Sequence, residues 1–103
     1  MSLIKRPATI EAFRELVQQA LYEVEELRMS VEYDMEFMED ALGIVEPLER
    51  NLRELLAEID TGDYMFGEQP LAYMSFIDRQ SNAILPFKSL LKQINDTHIN
   101  GLG

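Results

Sequence analysis

The sequence predicts an all-α fold, a three-helix antiparallel bundle, on three observations. A seven-residue step from Ile10 lands on Val17, Val24, Val31, Met38, Val45, Leu52 and Ile59, apolar every time. The companion series Phe13, Ala20, Leu27, Asp34, Ala41, Leu48 and Leu55 breaks only at Asp34. Two apolar positions per heptad is the spacing of helices packed at shallow angles. No stretch alternates with the two-residue period of a strand.

The first helix starts clearly. Thr9 can cap its N-terminus, and Glu11 lies in the first turn, where the helix dipole favours an acid. Leu16, Leu21, Met35, Leu42 and Leu56 widen the stripe beyond a two-stranded coiled coil. Gly43 before Ile44 reads as a glycine stop, and Pro47 suits the first turn of a new helix. A break or kink near 43–47 is therefore expected. One unbroken helix from 10 to 59 would be roughly 75 Å long, against a radius of gyration of about 13 Å for a compact chain of this size. An extended oligomer built on one bent helix is the alternative.

Gly62 ends the second helical stretch, and a loop to about Gln69 carries Tyr64, Met65 and Phe66. Pro70 then opens a third helix through Leu71, Met74, Ile77, Ile84, Leu91 and Ile94. Its polar middle at 78–82 and Pro86 predict a kink or split near 78–86, with Ser81 or Asn82 capping the second piece. The reading is one helical domain over 1–103, with frayed ends at 1–8 and 96–103.

Composition narrows function by exclusion. The chain has no cysteine, so disulfides, thiolate metal sites and thiol catalysis are out. The start, Met1 to Pro7, is basic but lacks an apolar stretch behind it, and no run approaches the roughly 18 apolar residues of a membrane span. A cytoplasmic protein is expected. Net charge is −10, and residues 21–40 hold eight acids against Arg28 alone. Phosphate backbones and anionic membranes both require cationic surfaces, so neither nucleic acid nor membrane is an expected partner.

The leading candidate site is a second apolar stripe. Tyr22, Met29, Tyr33 and Phe37 follow steps of seven, four and four, and the first three fall away from the seam. With Glu25 and Glu36 beside them, they form an acidic, aromatic- and methionine-bearing face suited to a basic or amphipathic protein partner. The plain reading is that the third helix wraps round to cover this stripe. A homo-oligomer, a dimer first, is expected through the same face or along the seam.

The alternative function is carboxylate metal binding at an intersubunit site, because Glu32, Glu36 and Glu39 have helical i, i+4, i+7 spacing. No Glu-x-x-His pair supports it, and a solvated acidic face is the better reading. Asp34, the one charge on the seam, needs a buried partner such as Arg79, Gln80 or Asn82, or a route to water. No catalytic residue and no cofactor is expected. His98, the single histidine, falls in the expected tail, and no glycine-rich phosphate loop is present. The sequence therefore points to a non-enzymatic interaction module: an adaptor, chaperone or regulatory protein.

Overall fold

The computed structural model describes residues 6–33, 38–77, 79–80 and 85–103, and the side chains of all of these except 31–33 and 38–42. Four helices form among the described residues, and no strand: α1 (Ile10–Tyr33), α2 (Met38–Thr61), α3 (Met74–Ile77) and α4 (Lys88–Asn100).

Thr9 caps α1 as its sequence position implies. Its Oγ1 accepts from the Ala12 amide at 3.1 Å, and its carbonyl accepts from the Phe13 amide at 3.0 Å. The helix then buries Phe13, Val17, Ala20 and Val24 completely. Val45, Leu48 and Leu52 of α2 are equally inaccessible, with Leu55 nearly so. Ile10 is the exception: it stands at the exposed entrance of the seam.

The two helices run in opposite directions. Arg14 pairs with Asp60, Glu25 with Arg53 and Arg28 with Glu49, so the α2 partner number falls as the α1 number rises. The chain has therefore already reversed where α2 begins at Met38, which corrects the break expected near 43–47. Gly43 and Pro47 sit inside a continuous α2. An interior proline costs roughly 3 kcal/mol, whereas each buried Val or Leu contributes about 1.5–3 kcal/mol. Burial of Val45, Leu48 and Leu52 outweighs it. The heptad phase survives the turn because α1 and α2 begin at Ile10 and Met38, 28 residues or four heptads apart. The alternative of one bent helix is likewise set aside.

Gly62 closes α2 in the left-handed region, with φ at 80°. The Gly62 amide donates to the Ile59 carbonyl at 3.2 Å and the Asp63 amide to the Glu58 carbonyl at 2.9 Å, the paired bonds of a Schellman motif.

The third helical stretch is split, as its polar middle implies. Tyr73 is buried beside α3, and its hydroxyl donates to the Leu91 carbonyl of α4 at 2.5 Å. The Leu71 amide donates to Asn95 Oδ1 at 2.8 Å. Ser81 and Asn82 lie outside the described residues, but α4 starts only at Lys88. No side chain caps it there; the turn at Pro86–Phe87 leads in, and the Phe87 ring is buried.

The C-terminal segment is tied down where fraying was expected. The helix continues to Asn100, Gly101 takes a φ of 83°, and its amide donates to the Thr97 carbonyl at 2.7 Å. Arg6 Nη1 donates to the Asn100 carbonyl at 2.9 Å, and the Gly103 amide donates to the Pro7 carbonyl at 2.8 Å. A guanidinium at a helix C-terminus satisfies carbonyls that lack intrahelical partners. Residues 6–8, within the other expected frayed end, are thereby anchored.

Helix α1 contacts both α2 and α4, while α3 contacts α4. The molecule measures 40 × 34 × 20 Å, about two helical diameters thick. No helix among the described residues is long and apolar enough to cross a membrane.

Candidate protein-interaction surface

Helix α1 separates its residues by face. Val17 and Val24 are inaccessible, while Tyr22 and Met29, on the opposite side, are 56% and 63% exposed. α4 packs on α1 without covering either residue, so the plain reading of a wrapped stripe does not hold at these two positions. The Tyr22 hydroxyl hydrogen-bonds Glu26, and that bond, with the nearby carboxylate charge, holds the phenol above its ordinary titration range. Gln19 Nε2 donates to Glu23 Oε1 at 2.9 Å, one turn below.

Glu25 is exposed but leans toward α2, where Arg53 approaches it at 3.5 Å. It flanks the tyrosine–methionine face rather than lying within it. The side chains of Tyr33, Glu36 and Phe37 lie outside the described residues. So do those of Glu32 and Glu39 and the seam residue Asp34. No group of three metal-ligating side chains forms among the described residues. Of the partners suggested for Asp34, Arg79 is exposed and Gln80 donates to the Phe76 carbonyl at 3.3 Å.

The buried acid that the structure does describe is Glu49, 8% exposed. Arg53 Nη2 lies 2.6 Å from its Oε1, one helical turn along α2, and Arg28 Nη2 lies 2.5 Å from Oε2 across the hairpin. The Arg28 contact lacks hydrogen-bond alignment, leaving Glu49 Oε2 and Arg28 Nε without hydrogen-bond partners among the described residues. Sequence reasoning missed this cluster. Its signal was present: Glu49 adjoins the seam residue Leu48, and Arg53 follows at i+4 in the favourable order.

His98 also departs from expectation. It sits in the last turns of α4, half-buried, and its Nδ1 lies 2.7 Å from the Tyr64 hydroxyl. The Gly67 amide donates to the His98 carbonyl at 3.1 Å, and a Cβ on Gly67 would come within 3.1 Å of His98 Nε2. The Tyr64 ring packs at 5.4 Å from Phe13 and 5.0 Å from Phe66. Desolvation lowers the His98 pKa, opposed by the charge of Glu58 and a backbone hydrogen bond at Gln69. Burial likewise pushes the Tyr64 phenol up. With one ring nitrogen on Tyr64 and the imidazole bonded to backbone at Gln69, the ring works as a clasp between loop and helix.

Loop 63–70 therefore lies on the ends of α1 and α4 and presents Met65, 81% exposed, and Phe66, 40% exposed. A groove between α1 and α4 is lined by Leu16, Ala12, Gln19, Glu15, Gln93 and Arg6. It holds no pair of groups arranged for acid–base or nucleophilic chemistry. Compared with known proteins, the chain matches no family model, no curated protein and no solved structure.

Proposed function

We propose that the protein is a non-enzymatic interaction module that receives a basic, amphipathic protein partner on the outer face of α1. The observation that carries this reading is the exposure of Tyr22 and Met29 on a helix whose other side is fully buried. Aromatic and methionine side chains supply contact area at interfaces, and surrounding carboxylates select a cationic partner. The acids at 21–40 extend that field along the chain. A second copy would bring the same acids face to face, so a different, basic chain suits the surface better than a dimer.

The scaffold in this reading is a three-helix antiparallel bundle of α1, α2 and α4. The ion pairs order α1 against α2, and Arg6 before α1 meets Asn100 at the end of α4. Carboxylate metal binding gains no specific observation.

Affinity capture from the source organism, followed by titration of the recovered partner, tests the proposal. Tyr22→Ser with Met29→Ser should weaken binding at least tenfold while leaving the unfolding midpoint unchanged, because both side chains are exposed. Binding should also weaken as salt rises. A partner that binds the double variant at full strength would overturn the assignment.

A further inference from the structure

A second surface lies at the end of the molecule where α1 begins and α2 and α4 finish. Among the described residues, seven large apolar side chains are exposed, and five of them belong here: Ile10, Met65, Phe66, Ile99 and Leu102. Their placement follows from contacts already given. The Phe66 ring stands 5.8 Å from Phe13, one turn along α1 from Ile10. Gly67 bonds the His98 carbonyl beside Ile99, and Gly103, next to Leu102, bonds Pro7. Exposed apolar side chains gathered at one place, unlike ones scattered singly, mark an interaction surface.

The charges around it identify the occupant. Glu11, Glu58, Asp63 and Glu68 are exposed, and none takes part in a described ion pair. Among the described residues, Arg14 is paired with Asp60, and Arg6 donates to the Asn100 and Gly101 carbonyls. Two helix C-termini add their negative dipole ends to this side, against the single N-terminus of α1. An apolar centre with a predominantly acidic rim fits a segment with the reverse pattern, apolar on one face and lysine- or arginine-rich at its border.

We infer that this end binds a basic amphipathic segment, with Met65 and Phe66 as its apolar anchors, separately from the α1 outer face. A second copy is the poorer fit, since it would oppose four acids to the same four acids.

The test is an amide chemical-shift titration of the intact chain with a synthetic 18-residue Leu/Lys amphipathic peptide, and with a Leu/Gln peptide of equal length. The inference expects shifts concentrated at residues 10–11, 63–68 and 98–102, and at least tenfold weaker binding of the uncharged peptide. Met65→Ser with Leu102→Ser, at exposed positions that leave the fold intact, should weaken the Leu/Lys peptide about tenfold. Tyr22→Ser with Met29→Ser should leave its binding here unchanged. Shifts confined to the surroundings of Tyr22 and Met29 would overturn this inference and leave the α1 proposal standing. Equal binding of the uncharged peptide would overturn it as well, as would concentration-dependent dimerisation through residues 63–68 without peptide.

Discussion

The Tyr64 hydroxyl and His98 Nδ1 stand 2.7 Å apart and join the loop after α2 to the last turns of α4. A neutral Nδ1 accepts the Tyr64 proton, whereas a protonated Nδ1 donates to the phenol oxygen, so the contact itself is compatible with either charge and burial of the ring is what disfavours the cation. Glu58 faces the ring from α2, the Gln69 backbone bonds it from the loop, and Gly67 packs against it.

The pH dependence has a definite sign. The folded pKa of His98 lies below its ordinary value of 6.5. Between those two values the unfolded chain binds more protons than the folded one, so stability rises with pH. The His98 contribution is complete above pH 6.5 and is lost as pH falls from there through the lower folded value. Thermal melts between pH 7.5 and 5 should show this decline in the parent chain. His98→Gln should remove that component, and an imidazole titration at or above 6.5 in the folded protein would refute the account.

The Glu49 cluster predicts unequal costs for charge removal. Glu49→Ala takes a buried carboxylate from two arginines and leaves Arg28 Nε with nothing to replace the lost charge. Loss of about 2 kcal/mol is expected for a buried charged partner. Asp60→Ala, at the exposed pair with Arg14, should leave the urea midpoint almost unmoved. Equal effects of the two substitutions would show that Glu49 is not the hairpin's electrostatic anchor.

A glycine inside α2 and the one just past its end should respond to alanine in opposite directions. Gly43 is helical and exposed, and an added Cβ meets nothing within 4 Å. Gly43→Ala should stabilise by about 0.4–1 kcal/mol, chiefly by restricting the unfolded chain. Gly62 has equal space but a φ of 80°, so Gly62→Ala should destabilise by roughly 1–2 kcal/mol. Urea unfolding of both variants separates local space from backbone strain.

How far the sequence could be read depended on what each element rests on. The α1–α2 core was legible because burial has the heptad period, and Phe13, Val17, Val24, Val45, Leu48 and Leu52 all lie on it. The Thr9 cap and the Gly62 stop were legible because each is a local backbone requirement. The turn was not, since a four-heptad offset hides a reversal from any periodicity argument. Gly43 and Pro47 carried the right local signal for a turn but were overridden by burial. The end of α4 was missed because Arg6, a residue distant in sequence, completes its carbonyls. At the candidate site, the exposure of Tyr22 and Met29 followed from their phase. The Tyr64–His98 clasp and the apolar end surface depend on loop docking, which no spacing rule encodes.

The arrangement in which α1 touches both α2 and α4 makes it the keystone of the molecule. The α1–α2 contacts join helices adjacent in sequence and can form early at small entropic cost, whereas α4 must return across most of the chain to reach α1. Release of α3 and α4 as one unit would leave the hairpin paired while baring Phe13 and its neighbours. Loss of α1 would leave the remaining helices without a shared wall. The clasp at His98 and the anchor at Arg6 thus hold α4 to the rest of the molecule, where the α1–α2 pair has its own ion pairs.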